Sequence, residues 1–265
     1  MTRRAGFLGC AVGVLLLAGC SAPAGDTPSA TTATAGADDA GPASSRPVIA
    51  PGTTVARGDL VTANGVSGAV EIRLNDANVF ELVVDDLAVA DGRAVQFTLT
   101  ADTIASQASC LESDWRLGLG QAAGGIDTDT PLVFPIGGTD GIGQGDPSFI
   151  REIVVSPVPD GRAPDKTCPI PLLSHASLDW TLPDMRPGLT VRDSGAGPGA
   201  QGLVILDGDD PASYTVAQGD QLAAIATRFG IDLDEVFYLN PRRSPNPEDS
   251  TALVGEKLNL SRDTR

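Results

Sequence analysis

The chain has 265 residues, a formal charge of −16 and only 4% aromatic residues. Acids outnumber bases 34 to 18 and no basic stripe is present. That balance excludes nucleic acid as a partner and makes anionic headgroups or an anionic wall repulsive surfaces.

Arg3 and Arg4 open the chain, and an apolar run follows from Ala5 to Ala18. The run is shorter than the ~20 residues of a membrane-spanning helix, and residues 1–19 read as a secretion signal. The tetrapeptide Leu17-Ala18-Gly19-Cys20 resembles the lipobox of bacterial lipoproteins. The resemblance implies cleavage before Cys20 and a diacylglyceryl group on its sulfur. The other reading is an ordinary signal peptide in which Cys20 is incidental. Losing Arg3 and Arg4 with the leader takes the charge from −16 to −18. Two or more acyl chains anchor a protein stably, so the expected location is the extracytoplasmic face of the cell membrane. The scarcity of lysine, found only at Lys166 and Lys257, beside abundant Arg, Ala, Gly, Asp and Val resembles proteins of high-GC actinobacteria.

Cys10 leaves with the signal, so Cys110 and Cys168 remain, 58 positions apart. In an exported compartment they are predicted to pair, which closes a loop worth ~4 kcal/mol. Two isolated cysteines and the single histidine, His175, lack metal-ligand spacing. No metal and no cofactor is expected.

Residues 20–54 are dominated by small, polar and proline residues. Such a stretch cannot bury enough apolar surface to order itself and is expected to be a disordered tether. Its 34 residues after Cys20 would have a typical end-to-end distance of ~30 Å.

Residues 55–208 are predicted to form one β-sandwich-like domain. Apolar residues alternate at Val70, Ile72 and Leu74; Phe80, Leu82 and Val84; Val95, Phe97 and Leu99. Further runs are Trp115, Leu117 and Leu119; Ile153 and Val155; Ala176, Leu178, Trp180 and Leu182; Leu189 and Val191. Period-two alternation between Gly, Pro, Asp and Asn turns gives short strands with one buried face. One or both of Trp115 and Trp180 are expected to pack beside the disulfide. Asp207-Gly208-Asp209-Asp210-Pro211 reads as a polar linker.

Residues 209–265 change texture. A strand at Tyr214-Thr215-Val216 is followed by a turn, with Asp220 expected as a helix N-cap. Leu222, Ile225, Ala226 and Phe229 form one helical stripe. Gly230 supplies a left-handed stop. Asp232 and Glu235 form a capping box for a second helix, with Ile231 and Val236 as its staple. That helix ends before Pro241, and residues 255–260 suggest a closing strand.

The elements Tyr-x-Val, Gly-Asp-x-Leu, Ile-Ala, Phe-Gly, Leu-Asn-Pro and Gly-x-x-Leu occur in order between Tyr214 and Leu260. They resemble a LysM domain, a βααβ module that binds N-acetylglucosamine polymers such as peptidoglycan and chitin. The overall expectation is therefore a mainly β chain with a small α+β module at its end. The resemblance implies a groove with Gly219, Asp220, Gln221 and Leu222 on one wall and Asn246, Ala252 and Leu253 on the other. Gln221 stands where the family commonly has Thr or Ser. From the residues alone, Asp220 reads more readily as a cap and Leu222 as core.

Catalytic signals are thin. His175 has no triad context, and no His-Glu-x-x-His motif occurs. Gly141-Ile142-Gly143-Gln144-Gly145 reads as a flexible loop rather than a phosphate cradle. Asp85-Asp86 and Asp127 with Asp129 read as turn residues. The expectation is a non-catalytic, lipid-anchored envelope protein that binds peptidoglycan and offers its β domain to an envelope protein. A wall enzyme targeted by the module, or a solute-binding lipoprotein, are the alternatives.

Overall fold

The computed structural model describes residues 46–61, 64–125, 130–139, 141–159, 161, 165–243 and 251–265. The leader, Cys20, Asp127, Asp129 and Asn246 lie outside the described residues. What is described falls within one unit, Pro42–Arg265. No helix among the described residues is long and apolar enough to cross a membrane.

Among the described residues the fold is mainly β, with three antiparallel sheets and two α-helices. The first sheet is built from β1 (Thr54–Asp59), β2 (Val66–Leu74), β3 (Val79–Val89), β6 (Leu132–Gly138) and β9 (Asp179–Trp180), in the order β6-β3-β2-β1-β9. The second is built from β4 (Val95–Thr100), β5 (Arg116–Ala122), β7 (Glu152–Pro157) and β8 (Ser174–Ser177), in the order β5-β4-β7-β8. The alternating residues explain why the sheets meet. Val70, Ile72, Leu74, Phe80, Leu82 and Val84 of the first share one buried cluster with Val95, Phe97, Leu99, Ile153 and Val155 of the second. Phe97 and Phe134 touch across it, ring centroids 5.1 Å apart. This sandwich-like arrangement buries each sheet's apolar face on the other.

The run Ala176, Leu178, Trp180 does not form one strand. β8 pairs with β7, and β9 then pairs with β1 in the other sheet. Cys110 and Cys168 are bonded, with Cα atoms 5.5 Å apart. The tryptophans are not placed beside this bond as expected. Trp115 packs edge-on to Phe149 at 4.8 Å, and Trp180 donates to Ile150 O at 2.8 Å. Both pack on the main core, where large rings bury the most area. Leu111 and Leu172, which flank the disulfide loops, form a separate small cluster with Val154.

Residues 46–54 do not continue a disordered tether. Gly52 N donates to Leu74 O at 2.6 Å, Leu74 N donates to Thr53 O at 3.0 Å, and Ile49 packs on two apolar clusters. The glycine-rich stretch is no loose loop. It forms a 3-10 turn, Ile142–Gln144, followed by a second, Pro147–Phe149, which the Asp146 side chain caps at Ser148 N. The polar stretch at 207–211 is a hairpin turn. It joins β10 (Leu203–Asp207) to β11 (Asp210–Thr215), with Asp207 paired to Asp210. Leu189 and Val191 lie in no strand and pack on the terminal cluster.

Candidate functional site

The third sheet has the order β10-β11-β12, where β12 is Lys257–Asn259. Helices α1 (Leu222–Phe229) and α2 (Leu233–Leu239) lie between β11 and β12 in the chain, so the predicted order strand, helix, helix, strand is present. Each piece has a local cause. Gly230 ends α1 at φ 67°, and Ile231 N donates back to Ala226 O at 3.1 Å. Asp232 and Glu235 form the expected reciprocal capping box on α2. Asn240 ends α2 and reaches across to β12, donating to Asn259 O at 3.0 Å and accepting from Asn259 N at 2.7 Å. The helices bury Leu222, Ile225, Phe229, Val236 and Leu239 against Tyr214, Leu258 and Leu260.

Asp220 is not the α1 N-cap. Gln221 holds that position and makes no side-chain cap. The Asp220 carboxylate turns inward and accepts from Tyr214 Oη at 2.5 Å, Gln201 N at 2.7 Å and Ala217 N at 2.8 Å. The reason is the fully buried Tyr214, whose hydroxyl needs an acceptor. Burial alone would raise the Asp220 carboxyl, but the Tyr214 hydroxyl and backbone N–H donors outweigh it and hold it below the usual 3.8. Burial, reinforced by Asp220, pushes Tyr214 up to about 12. Gly202 completes the cage. Its N–H donates to Tyr214 Oη at 2.7 Å, and a Cβ there would meet Thr215 O at 2.1 Å.

The pairing of β11 with β12 sets the geometry of the two predicted walls. Val216 N donates to Glu256 O and Gly255 N donates to Val216 O, both at 2.9 Å. The turn at 217–221 and the turn at 252–256 therefore emerge from adjacent strands. On the first, Gly219 and Gln221 are exposed, while Asp220 and Leu222 are buried. Gly219 sits at φ 87° with open space around it, so bare backbone faces outward. On the second, Ala252 is half-buried, while Leu253 and Val254 are 62% and 69% exposed. An exposed backbone turn beside two exposed aliphatics can offer hydrogen bonds and an apolar contact to one ligand.

A comparison of the chain with protein-family models, curated proteins and solved structures returns no match.

Elsewhere, His175 lies in β8 with Nδ1 2.6 Å from Glu152 Oε2. Glu152 also accepts from Ser177 Oγ at 3.0 Å and Ile104 N at 3.1 Å. Asp85 lines a shallow recess with Asp59, Glu71 and Asp179, and Arg57 lies among them. Among the described residues no group of acids, His or Cys could hold a metal ion.

Sequence reasoning missed the seam between sandwich and module. Arg265 forms an ion pair with Asp146 at 2.9 Å and donates to Gly143 O at 3.0 Å and Tyr238 O at 2.7 Å. Its guanidinium lies 4.1 Å from the Tyr238 ring centre. Arg242 adds an ion pair to Asp102 at 2.8 Å. Arginines separated by over 100 residues from their partners in the sandwich, Asp146, Gly143 and Asp102, carry no periodic or spacing signal.

Proposed function

We propose that this chain is a non-catalytic cell-envelope lipoprotein that holds peptidoglycan through a LysM-like module while Cys20 anchors the opposite end in the membrane. The observation that carries the reading is the side-by-side exit of the 217–221 and 252–256 turns from paired strands. An aminosugar polymer has neutral N-acetyl arms. Each arm needs directional hydrogen bonds, which the Gly219 turn supplies, and an apolar spot for a methyl, which Leu253 and Val254 supply. A neutral glycan is also a ligand that the net charge of −16 does not repel. Asp220 and Leu222 act beneath this surface, holding the first turn in shape. A single such module binds weakly, and membrane anchoring raises its effective concentration near the wall. The sandwich, β1 to β9, is the body held between anchor and wall, available to an envelope protein.

The test is co-sedimentation of the ectodomain, residues 21–265, with insoluble peptidoglycan. Wild type is expected in the pellet, and the exposed-site double variant Leu253→Asp/Val254→Asp in the supernatant. Wild type remaining in the supernatant overturns the function, and equal pelleting of the variant overturns the site. A wall-lysis zymogram is expected to stay blank, and a clear band would replace this reading with that of a wall enzyme.

A further inference from the structure

A cleft in two lobes runs along the seam between sandwich and module. The first lobe, ≈ 500 Å³, lies between Ala101, Phe149 and Arg151 on one side and Asn240, Glu256 and Lys257 on the other. The second, ≈ 320 Å³, is walled by Trp115, Leu117, Ile136, Phe149 and Phe237. Phe149, Pro241, Arg242 and Arg243 line both lobes.

The charge of the first lobe opposes that of the chain. Among the described residues, Arg151, Arg242, Arg243, Lys257 and Arg265 line it, five of the 18 basic residues of the chain, against one acidic side chain, Glu256. Three of these cations are spoken for. Arg242 pairs with Asp102, Arg243 with Glu256 and Arg265 with Asp146. Arg151 and Lys257 are exposed, and no carboxylate side chain lies within ion-pair distance of either among the described residues. Among the described residues, Arg151 donates to the main-chain oxygen of Arg265 at 3.0 Å. Two cations facing a cavity, in a protein with a large acidic excess, mark a place for anionic groups. The forked guanidinium suits carboxylates in particular. The second lobe adds an aliphatic and aromatic wall that a bare inorganic anion would leave unused.

We infer that this cleft binds a short peptide with free carboxylates. The carboxylates lie between Arg151 and Lys257, and an apolar side chain enters the lobe walled by Trp115 and Phe149. The cleft shares one turn with the glycan site. Arg243 donates to Thr251 O at 2.9 Å, and Leu253 N donates to Glu256 Oε2 at 3.3 Å. The stem peptides of peptidoglycan are carboxylate-rich and hang from the glycan itself. A ligand crossing Leu253 would therefore carry such a peptide toward the cleft. This last identification rests on the peptidoglycan reading, whereas the carboxylate chemistry of the cleft does not.

The experiment titrates the ectodomain with the tripeptide Ala-Glu-Ala, and in parallel with its uncharged counterpart Ala-Gln-Ala-amide. Tryptophan fluorescence is the readout, with Trp115→Phe assigning the signal. The acid peptide is expected to bind at least tenfold tighter than the amide. Arg151→Gln/Lys257→Gln, two exposed changes, is expected to remove at least that tenfold advantage while leaving the circular dichroism unchanged. Equal binding of acid and amide, an unchanged double variant, or no saturation by about 10 mM, a Kd too weak to matter, would each overturn the cleft. N-acetylglucosamine oligomers titrated into the same sample read the other site. Peptide binding without glycan binding keeps the cleft and removes the wall polymer as its source. Glycan binding without peptide binding overturns the cleft alone.

Discussion

In the sandwich, Phe97 meets Phe134 across the core, Cys110 bonds Cys168, and β1 finds β9 more than a hundred residues along the chain. In the terminal module, Asp232 and Glu235 cap each other three residues apart, Gly230 closes α1 on its own last turn, and Tyr214 meets Asp220 six residues on. The sandwich is thus stabilised by distant partners that must be brought together against chain entropy. The module is stabilised largely by neighbours and displays its exposed aliphatics on one short turn. Binding surfaces placed on tight turns of a locally braced unit keep their shape with few contacts of their own.

This difference can be broken from the sandwich side first. Reducing the disulfide, or Cys110→Ser/Cys168→Ser, frees a long loop and is expected to cost about 4 kcal/mol. Urea unfolding should show the loss as a lower midpoint of the single transition, with the helical circular dichroism near native before it. The seam comes next. Arg265→Met leaves Asp146, which is 8% exposed in its side chain, without its cation. It is expected to cost about 3 kcal/mol and to separate one unfolding transition into two. Within the module, Asp220→Asn weakens the acceptor of Tyr214 and of two backbone donors. About 2 kcal/mol is expected, read as a lower urea midpoint.

Acid should loosen the module and the seam. Hydrogen bonds from Arg228 hold Asp193 below the usual 3.8, and Ser113 and Arg242 hold Asp102 below it against the opposing effect of burial. Asp220 is lowered too. A folded-state value below the unfolded one means that the unfolded chain takes up protons first as pH falls. This stabilisation is therefore complete above about pH 4 and drains below it. At the alkaline end the sign reverses. Tyr214 and Tyr238, raised from 10.0 to about 12 chiefly by burial, stabilise below pH 10 and lose that contribution as pH rises toward 12. A melting-temperature profile across both ranges checks each arm. The smallest stability effect belongs to Leu253→Asp, within about 0.5 kcal/mol because the position is exposed. It should nonetheless reduce glycan retention, separating binding from folding.

The amino-acid sequence by itself determined the alternation of β2, β3, β4, β5 and β7, the pairing of Cys110 with Cys168, and the stops and capping box of the helices, while β1 and β6 carried no run that it singled out. These depend on residues within a turn or two of one another, or on how few cysteines the chain has. Only the tertiary structure decided that the run at Ala176–Trp180 splits between two sheets, that Asp220 serves a buried tyrosine instead of a helix end, and that 207–211 is a hairpin. It alone decided the seam, where Arg151, Lys257 and Trp115 come to face one cleft. Strand partners and buried acceptors are chosen by packing across the whole core, and alternation along one segment carries no information about which distant segment will lie opposite.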